Sequence, residues 1–318
     1  MDPTFPLLRL PDNAIITVLK NLRLGQLFDF SLISSKTKNF VTSSGFRARN
    51  VDINIFSRPI YVTVYTQTSQ LTFAFYNDQN RIDMNRPIAA GFEYEYTKIR
   101  SSTLFNFSDW MNHIRTIFCY TSPPNICFYG CAQYEIELLR ETIGNVNDLY
   151  VSSLLTDVMS REVLKEFNTP NKLVLDNNPF EEVSEIQQIF IQNFKTIVFY
   201  DFFSLDDMLL INIERANLYH PISQKQFNQF LKHWIRGSNP RLQHMLLIID
   251  RADFVNGEVY LNGIRCTAMK EEANQDICRK HGLLKGGMVQ IRRKDGTPAV
   301  IATKFLDDRL YIHLIVLH

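Results

Sequence analysis

Leu173-Val174-Leu175, then Val183, Ile186 and Phe190 at helical spacing, then Ile197-Val198-Phe199, read as strand, helix and strand in quick succession. Glu181 and Glu182 are placed in the first turn of that helix, where the macrodipole favours acids. Toward the N-terminus the pattern repeats. Strand-like runs occur at Cys127-Phe128 and Leu149-Tyr150, and helical faces at Ile136, Leu139 and Ile143 and at Val163, Leu164 and Phe167. The strand starts at 127, 149, 173 and 197 lie 22, 24 and 24 residues apart. One strand and one helix every ~20–29 residues is the geometry of a leucine-rich repeat. A plain α/β sheet with right-handed crossovers is the alternative. The steady period favours the repeat, because a doubly wound sheet has no reason to keep its spacing fixed. No clean Leu-x-x-Leu-x-Leu-x-x-Asn signature occurs, so the body is repeat-like.

The flanks have a different texture. Val51 to Ile55, then Ile60, Val62 and Val64, then Leu71, Phe73 and Phe75 alternate with a period of two, as an antiparallel meander does. Phe92 to Tyr96 is a further strand candidate. Ser204-Leu205-Asp206-Asp207 resembles a capping box, and Ser223 to Gln226 fits its Ser-x-x-Gln form. Phe227, Phe230, Leu231 and Trp234 then follow at i, i+3, i+4 and i+7, and Gly237 ends that helix. Leu246-Leu247-Ile248-Ile249 reads as a buried strand. Asp295-Gly296 marks a hairpin between Val289–Ile291 and Val300–Ile301. Residues 311–316 are apolar on both faces, as a central strand would be.

The chain has 318 residues with 34 Lys+Arg against 33 Asp+Glu, so no charge excess draws it to nucleic acid or to an anionic membrane. Its 24 Phe and 13 Tyr against two Trp favour strands and a filled core. Five scattered cysteines do not form a disulfide framework, and no secretory leader or apolar run of membrane length is read, which gives a cytoplasmic or nuclear expectation. Asn106-Phe107-Ser108 fits the glycosylation pattern and is read as a helix entry. Phosphate-loop, dinucleotide-binding, nucleophile-elbow and zinc-protease motifs are not found. Cys127 and Cys131 are read as core thiols, not metal ligands. Asp206-Asp207 and Asp307-Asp308 are read as caps and turns, not an acid/base pair. Arg292-Arg293-Lys294 is read as a solvated edge strand. No catalytic residue, cofactor or metal is expected.

The first forty-five residues stand apart. Ile15, Val18, Leu19 and Leu22 mark one helical face behind Leu10-Pro11, and Gly25 is read as the break after it. Leu27, Phe30 and Leu32 mark a second helix, and Ser34 or Ser35 can cap a third that stops by Gly45. Three such short helices bury little surface alone and need a partner.

Phe5 to Pro11, Ile15, Ile16, Val18 and Leu19, and Leu27 to Lys36 together resemble an F-box: a Leu-Pro opening, an apolar helix, a Leu-rich second helix and a Ser-Lys third helix. Asn13 stands where many F-boxes have Glu, and Thr37 where many have Trp. The resemblance implies docking to a Skp-type adaptor and, through it, to a cullin–RING ubiquitin ligase. The matching residues that would carry docking are Leu7, Leu8, Leu10, Pro11, Ile15, Ile16, Leu19, Leu27 and Leu32. Residues 204–246, with Leu-Leu-Ile-Asn at 209–212, Phe-Leu-Lys-His-Trp-Ile at 230–235 and Gly-Ser-Asn-Pro-Arg-Leu at 237–242, are similar to the type-2 F-box-associated region that accompanies F-boxes in families expanded in nematodes.

The expected fold is therefore α+β with α/β character. A three-helix F-box (5–45) precedes an antiparallel meander (51–100). A leucine-rich-repeat-like strand–helix body containing the F-box-associated segment (105–250) follows, and then C-terminal strands and a helix (251–318). The expected role is the non-catalytic, substrate-recognition subunit of a Skp–cullin–F-box ligase, holding an unidentified protein target near the ubiquitin-charged enzyme. A freestanding repeat scaffold and an enzyme on an α/β fold are the alternatives.

Overall fold

The computed structural model describes residues 7–76, 86–93, 97–99, 104–131, 134–168, 170–254, 257, 259–283 and 286–317. The chain folds as two compact units, Met1–Pro170 and Asn171–His318.

The first unit opens with a 3-10 turn, Leu7–Arg9, and three helices: α1 (Asp12–Leu19), α2 (Leu24–Ser31) and α3 (Ser35–Ser43). Pro11 is the N-cap of α1, where its missing N–H removes no helical bond. Gly25 does not break the chain. It lies inside α2, buried, and a Cβ there would meet the Phe92 ring at 3.6 Å. Ser34 caps α3: its Oγ accepts from the Thr37 N–H at 3.2 Å, and the Thr37 Oγ1 accepts from the Ser34 N–H at 2.9 Å. Thr37 is fully buried, so the position that many F-boxes give to Trp serves here as a cap.

An antiparallel meander follows: β1 (Asn50–Ile55), β2 (Ile60–Tyr65), β3 (Gln70–Tyr76), β4 (Ala89–Phe92) and β5 (Thr97–Lys98). The strand expected at Phe92 to Tyr96 begins earlier, at Ala89, and residues 94–96 lie outside the described residues. Then come α4 (Phe107–Phe118), β6 (Asn125–Phe128), α5 (Ile136–Ile143), β7 (Asp148–Val151) and α6 (Asp157–Glu166). β6 lies parallel to β1 and β7 parallel to β6. Asn106 is the cap of α4, paired with Asp109.

Phe28 of α2 holds the three helices to this sheet. Its ring lies 4.5 Å from Phe73, 6.2 Å from Trp110 and 6.4 Å from Phe118, centroid to centroid. Beside it the Ser31 hydroxyl donates to the Phe28 carbonyl (2.6 Å) and sits 2.7 Å from His113 Nε2. With its one proton spent on the carbonyl, Ser31 must accept from Nε2–H, which fixes the neutral tautomer. Burial, and then the nearby Lys38, lower the His113 pKa to about 4 from 6.5. The unfolded chain therefore binds the extra proton first. Stability from this site is complete above pH 6.5 and drains away as pH falls toward 4. Compared at matched pH, hydrogen-exchange protection of α2 and α4 should fall faster through this window in the native chain than in a His113→Leu variant. Parallel curves would refute the assignment.

The second unit contains β8 (Lys172–Leu175), α7 (Val183–Phe190), β9 (Thr196–Phe199), α8 (Leu205–Leu210), β10 (Arg215–Ile222), α9 (Gln224–Arg236) and β11 (His244–Asp250). β8, β9, β10 and β11 are parallel neighbours. Glu182 is the N-cap of α7 and Glu181 precedes it, so these acids stand just before the first turn. After a 3-10 turn, Arg251–Phe254, come β12 (Thr267–Ala268), α10 (Glu271–His281), β13 (Gly287–Arg292), β14 (Pro298–Leu306) and β15 (Arg309–Val316). β15 pairs with both β11 and β14 and is the central strand its two-faced apolar pattern requires.

The repeat-like strands β6, β7, β8 and β9 begin at Asn125, Asp148, Lys172 and Thr196, a period of 23 to 24 residues. In β6, β7 and β8, half-exposed residues alternate with buried ones, so one face of each strand is covered and the other is open. A doubly wound sheet would cover both. The overall architecture is α+β: three N-terminal helices, a strand–helix body and mixed sheet pairing.

Candidate functional site

The structure divides the nine residues expected to carry adaptor docking. Ile15, Leu19 and Leu27 are at most 1% exposed and form the inside of the helical cluster. Leu7, Leu10, Ile16 and Leu32 are half-buried, and Leu8 and Pro11 are exposed. Two further apolar side chains reach solvent here, Val18 and Ile33, the latter 65% exposed. The spacing places Val18 on one face with Ile15 and Leu19, yet it is 38% exposed. α3 packs on both α1 and α2, so these helices fill their own core and present the remaining apolar side chains outward.

The Gly237 to Leu242 segment has a structural logic of its own. Gly237, at φ +116, ends α9 in the left-handed region. Asn239, at φ +52 and 3% exposed, donates from Nδ2 to the carbonyls of Met208 and Ile211, each at 2.9 Å. One asparagine thus closes the end of α8. Arg293 locks the same loop: its Nη2 donates to the Ser238 carbonyl at 2.9 Å, and its guanidinium lies 4.5 Å from the Trp234 ring. The expectation of a solvated basic edge is therefore wrong at Arg293, which is only 8% exposed. Its partners sit some fifty residues earlier in the chain, beyond the reach of any local pattern.

Cys131 is buried, and its thiol is pushed up to about 12 by that burial and by Glu162, so it is inert. Cys127 lies half-exposed on the open face of β6 and not in the core. Among the described residues no trio of His, Cys, Asp or Glu converges to hold a metal. No helix among them is long and apolar enough to cross a membrane. Asp207 accepts from the Ser204 N–H, at 2.8 Å, as a cap, and Asp307 occupies a turn at φ +52.

Large aromatic side chains reach the surface of both units. In the first, Phe56 stacks on Tyr129 at 4.8 Å, and Tyr129 lies 5.4 Å from Tyr150. In the second, Tyr200 stacks on Tyr219 at 4.6 Å, and Phe202 is 63% exposed.

Residues 7–49 match the F-box domain family, and residues 185–247 match the F-box associated family. The second match runs from within α7 into β11 and contains Asn239 and its partners Met208 and Ile211. Over 297 residues the chain is 21% identical to the F-box associated domain-containing protein sdz-33 of Caenorhabditis elegans, covering 93% of this chain and 92% of that protein. No solved structure matches. The chain thus carries an F-box and an F-box associated region in that order.

Proposed function

We propose that this protein is the substrate-recognition subunit of a Skp–cullin–F-box ubiquitin ligase. The three N-terminal helices dock a Skp-type adaptor, and the body after them holds a protein target. One observation carries this reading. Within residues 7–49, the stretch matching the F-box family, Leu8, Val18 and Ile33 are exposed while Ile15, Leu19, Leu24, Leu27 and Phe28 are buried. A helical cap on its own domain would turn its apolar residues inward. This cluster keeps several for a partner, with Leu7, Leu10, Pro11, Ile16 and Leu32 at the rim.

The chain contributes no chemistry in this reading. Neither matched family is catalytic as a rule, and the rate gain comes from proximity, which raises the effective concentration of a target lysine beside the charged enzyme. The test is co-expression with a Skp-type adaptor. The native chain should retain the adaptor through purification, and a Leu10→Ala, Pro11→Ala variant should lose most of it while folding normally. Undiminished recovery of the adaptor by that variant would overturn the ligase reading.

A further inference from the structure

The second unit has a cavity of about 350 Å³ on the face of its sheet that α10 only partly covers. α10 rests there through one buried side chain, Ile277, against Val300 and Ile315. Beyond its C-terminal end the sheet is open. Strand pairing places Tyr219 of β10, Leu246 of β11, and Tyr311 and His313 of β15 on this one face. Leu246 lies opposite His313, and Tyr311 opposite Lys304 of β14. His281, at the end of α10, forms the remaining wall.

The lining carries one cation, Lys304, while burial lowers the pKa of both its histidines, His281 and His313, and so disfavours their charged forms. Its titratable side chains besides the two tyrosines are Lys304, His281 and His313, and no carboxylate lines it among the described residues. Arg215 lies close enough to act on His281. Asp250 is paired with Arg309 at 3.6 Å, and Asp307 and Asp308 are exposed in the turn beyond Leu306. The floor is apolar and aromatic, and the volume sits at the small end of the ~300–1,000 Å³ range of ligand pockets. That space suits one large apolar side chain, with neighbouring acids held by the cationic rim.

We propose that this cavity is the target-recognition pocket of the protein, and that it takes an acidic peptide segment presenting a single aromatic or large aliphatic side chain. The proposal rests on the reading of the body as a target-selecting module. The apolar anchor enters between Tyr219 and Tyr311, while flanking carboxylates meet Lys304 and Arg215. Aromatic walls supply contact area at small cost in side-chain entropy, and the cations supply selectivity and rate of association.

The experiment uses the full chain with its adaptor bound and three fluorescein-labelled pentapeptides: Glu-Glu-Phe-Glu-Glu, Glu-Glu-Ala-Glu-Glu and Lys-Lys-Phe-Lys-Lys. The first should raise fluorescence anisotropy at concentrations at least about tenfold below the other two, with affinity falling as salt rises. Lys304→Glu and Tyr311→Ala should each weaken that binding by about tenfold or more, with unchanged thermal unfolding for Lys304→Glu, a half-buried residue of the cavity lining. Both variants should keep their adaptor, so a failure here is distinguishable from a failure of the ligase reading. Equal binding of the three peptides, no binding of any, or unchanged affinity in a folded Lys304→Glu variant would each overturn the proposal.

Discussion

Phe28→Ala should cost the first unit about 3–5 kcal/mol, the range for truncating a fully buried aromatic side chain. Phe28 has no exposed surface, and its ring is shared by elements distant in sequence. It touches Phe73 on β3, Phe92 on β4 and Trp110, His113 and Phe118 on α4. Removing it leaves a cavity whose walls belong to a twisted sheet and a twelve-residue helix, which cannot collapse together without breaking strand register. The loss of aromatic pairing adds about 0.5–1.5 kcal/mol for each good contact beyond simple area burial. Because the chain has two units, a single denaturation curve is not the right observable. Hydrogen exchange of peptides from α2, α3 and α4 should accelerate, while peptides from α9 and β11 should be unchanged. Phe202→Ala, at a 63% exposed position of the second unit, serves as the control and should shift nothing in the first. Unaltered protection in α2 and α4 would show that the three helices are held by something other than this ring.

An F-box of forty residues is too small to bury a stable core by itself. Here the problem is solved by lending Phe28 to the core beneath it, with the Ser31–His113 hydrogen bond at its edge. Mutations inside the segment therefore separate into two classes. Those at Ile15, Leu19, Leu27 and Phe28 act on folding. Those at Leu8, Val18 and Ile33 act on the surface alone.

Much of the architecture is legible in the chain wherever the information is local. The face Phe227, Phe230, Leu231 and Trp234 is fully buried, and the boxes at Ser204 and Ser223 both form. The hairpin at Asp295-Gly296 turns as its dipeptide requires, with Gly296 at φ +94. What escapes sequence reading is polar and long-range. Gln224 and Asn228 are amide side chains, yet both are buried. Their amides bond the backbone of the segment after Arg251, at Asp253 and Gly257 and at Tyr260 and Asn262. Arg293 reads as a solvated cation because its ring and carbonyl partners lie in α9 and the loop after it, more than fifty residues earlier in the chain. The cavity beside Tyr311 could not be found from sequence either. It depends on β15 lying between β11 and β14, and that pairing brings His244 within 3.1 Å of His313 across 69 residues of chain. Composition did show where aromatic residues were abundant; only the strand register shows which of them reach solvent.

The apolar side chains exposed around the three N-terminal helices carry the other large expected effect. A Leu8→Glu, Ile33→Glu double variant should bind a purified Skp-type adaptor at least about a hundredfold more weakly than the native chain, with unchanged hydrogen exchange in α2 and α4. Each of these side chains is substantially exposed in the isolated chain, 44% and 65%. Burial against a partner would contribute about 1.5–3 kcal/mol for a fully covered Leu or Ile. A carboxylate in its place must also be desolvated without a partner, which raises the cost further. At ~1.4 kcal/mol per tenfold, losing most of two such contacts exceeds a factor of one hundred. Folding should not suffer, because nothing in the helical cluster packs over these positions and exposed substitutions are usually within ±0.5 kcal/mol. Leu154→Glu is the matched control: a 75% exposed leucine of the same unit, far along the chain from the F-box match, whose replacement should leave adaptor affinity as it was. The sharpest outcome is calorimetric. Burial of apolar surface gives a negative heat-capacity change on binding, and the double variant should lose that signal together with the affinity. If the double variant binds as tightly as the native chain, the adaptor does not use this face. The apolar side chains left open by α1, α2 and α3 would then belong to a different partner.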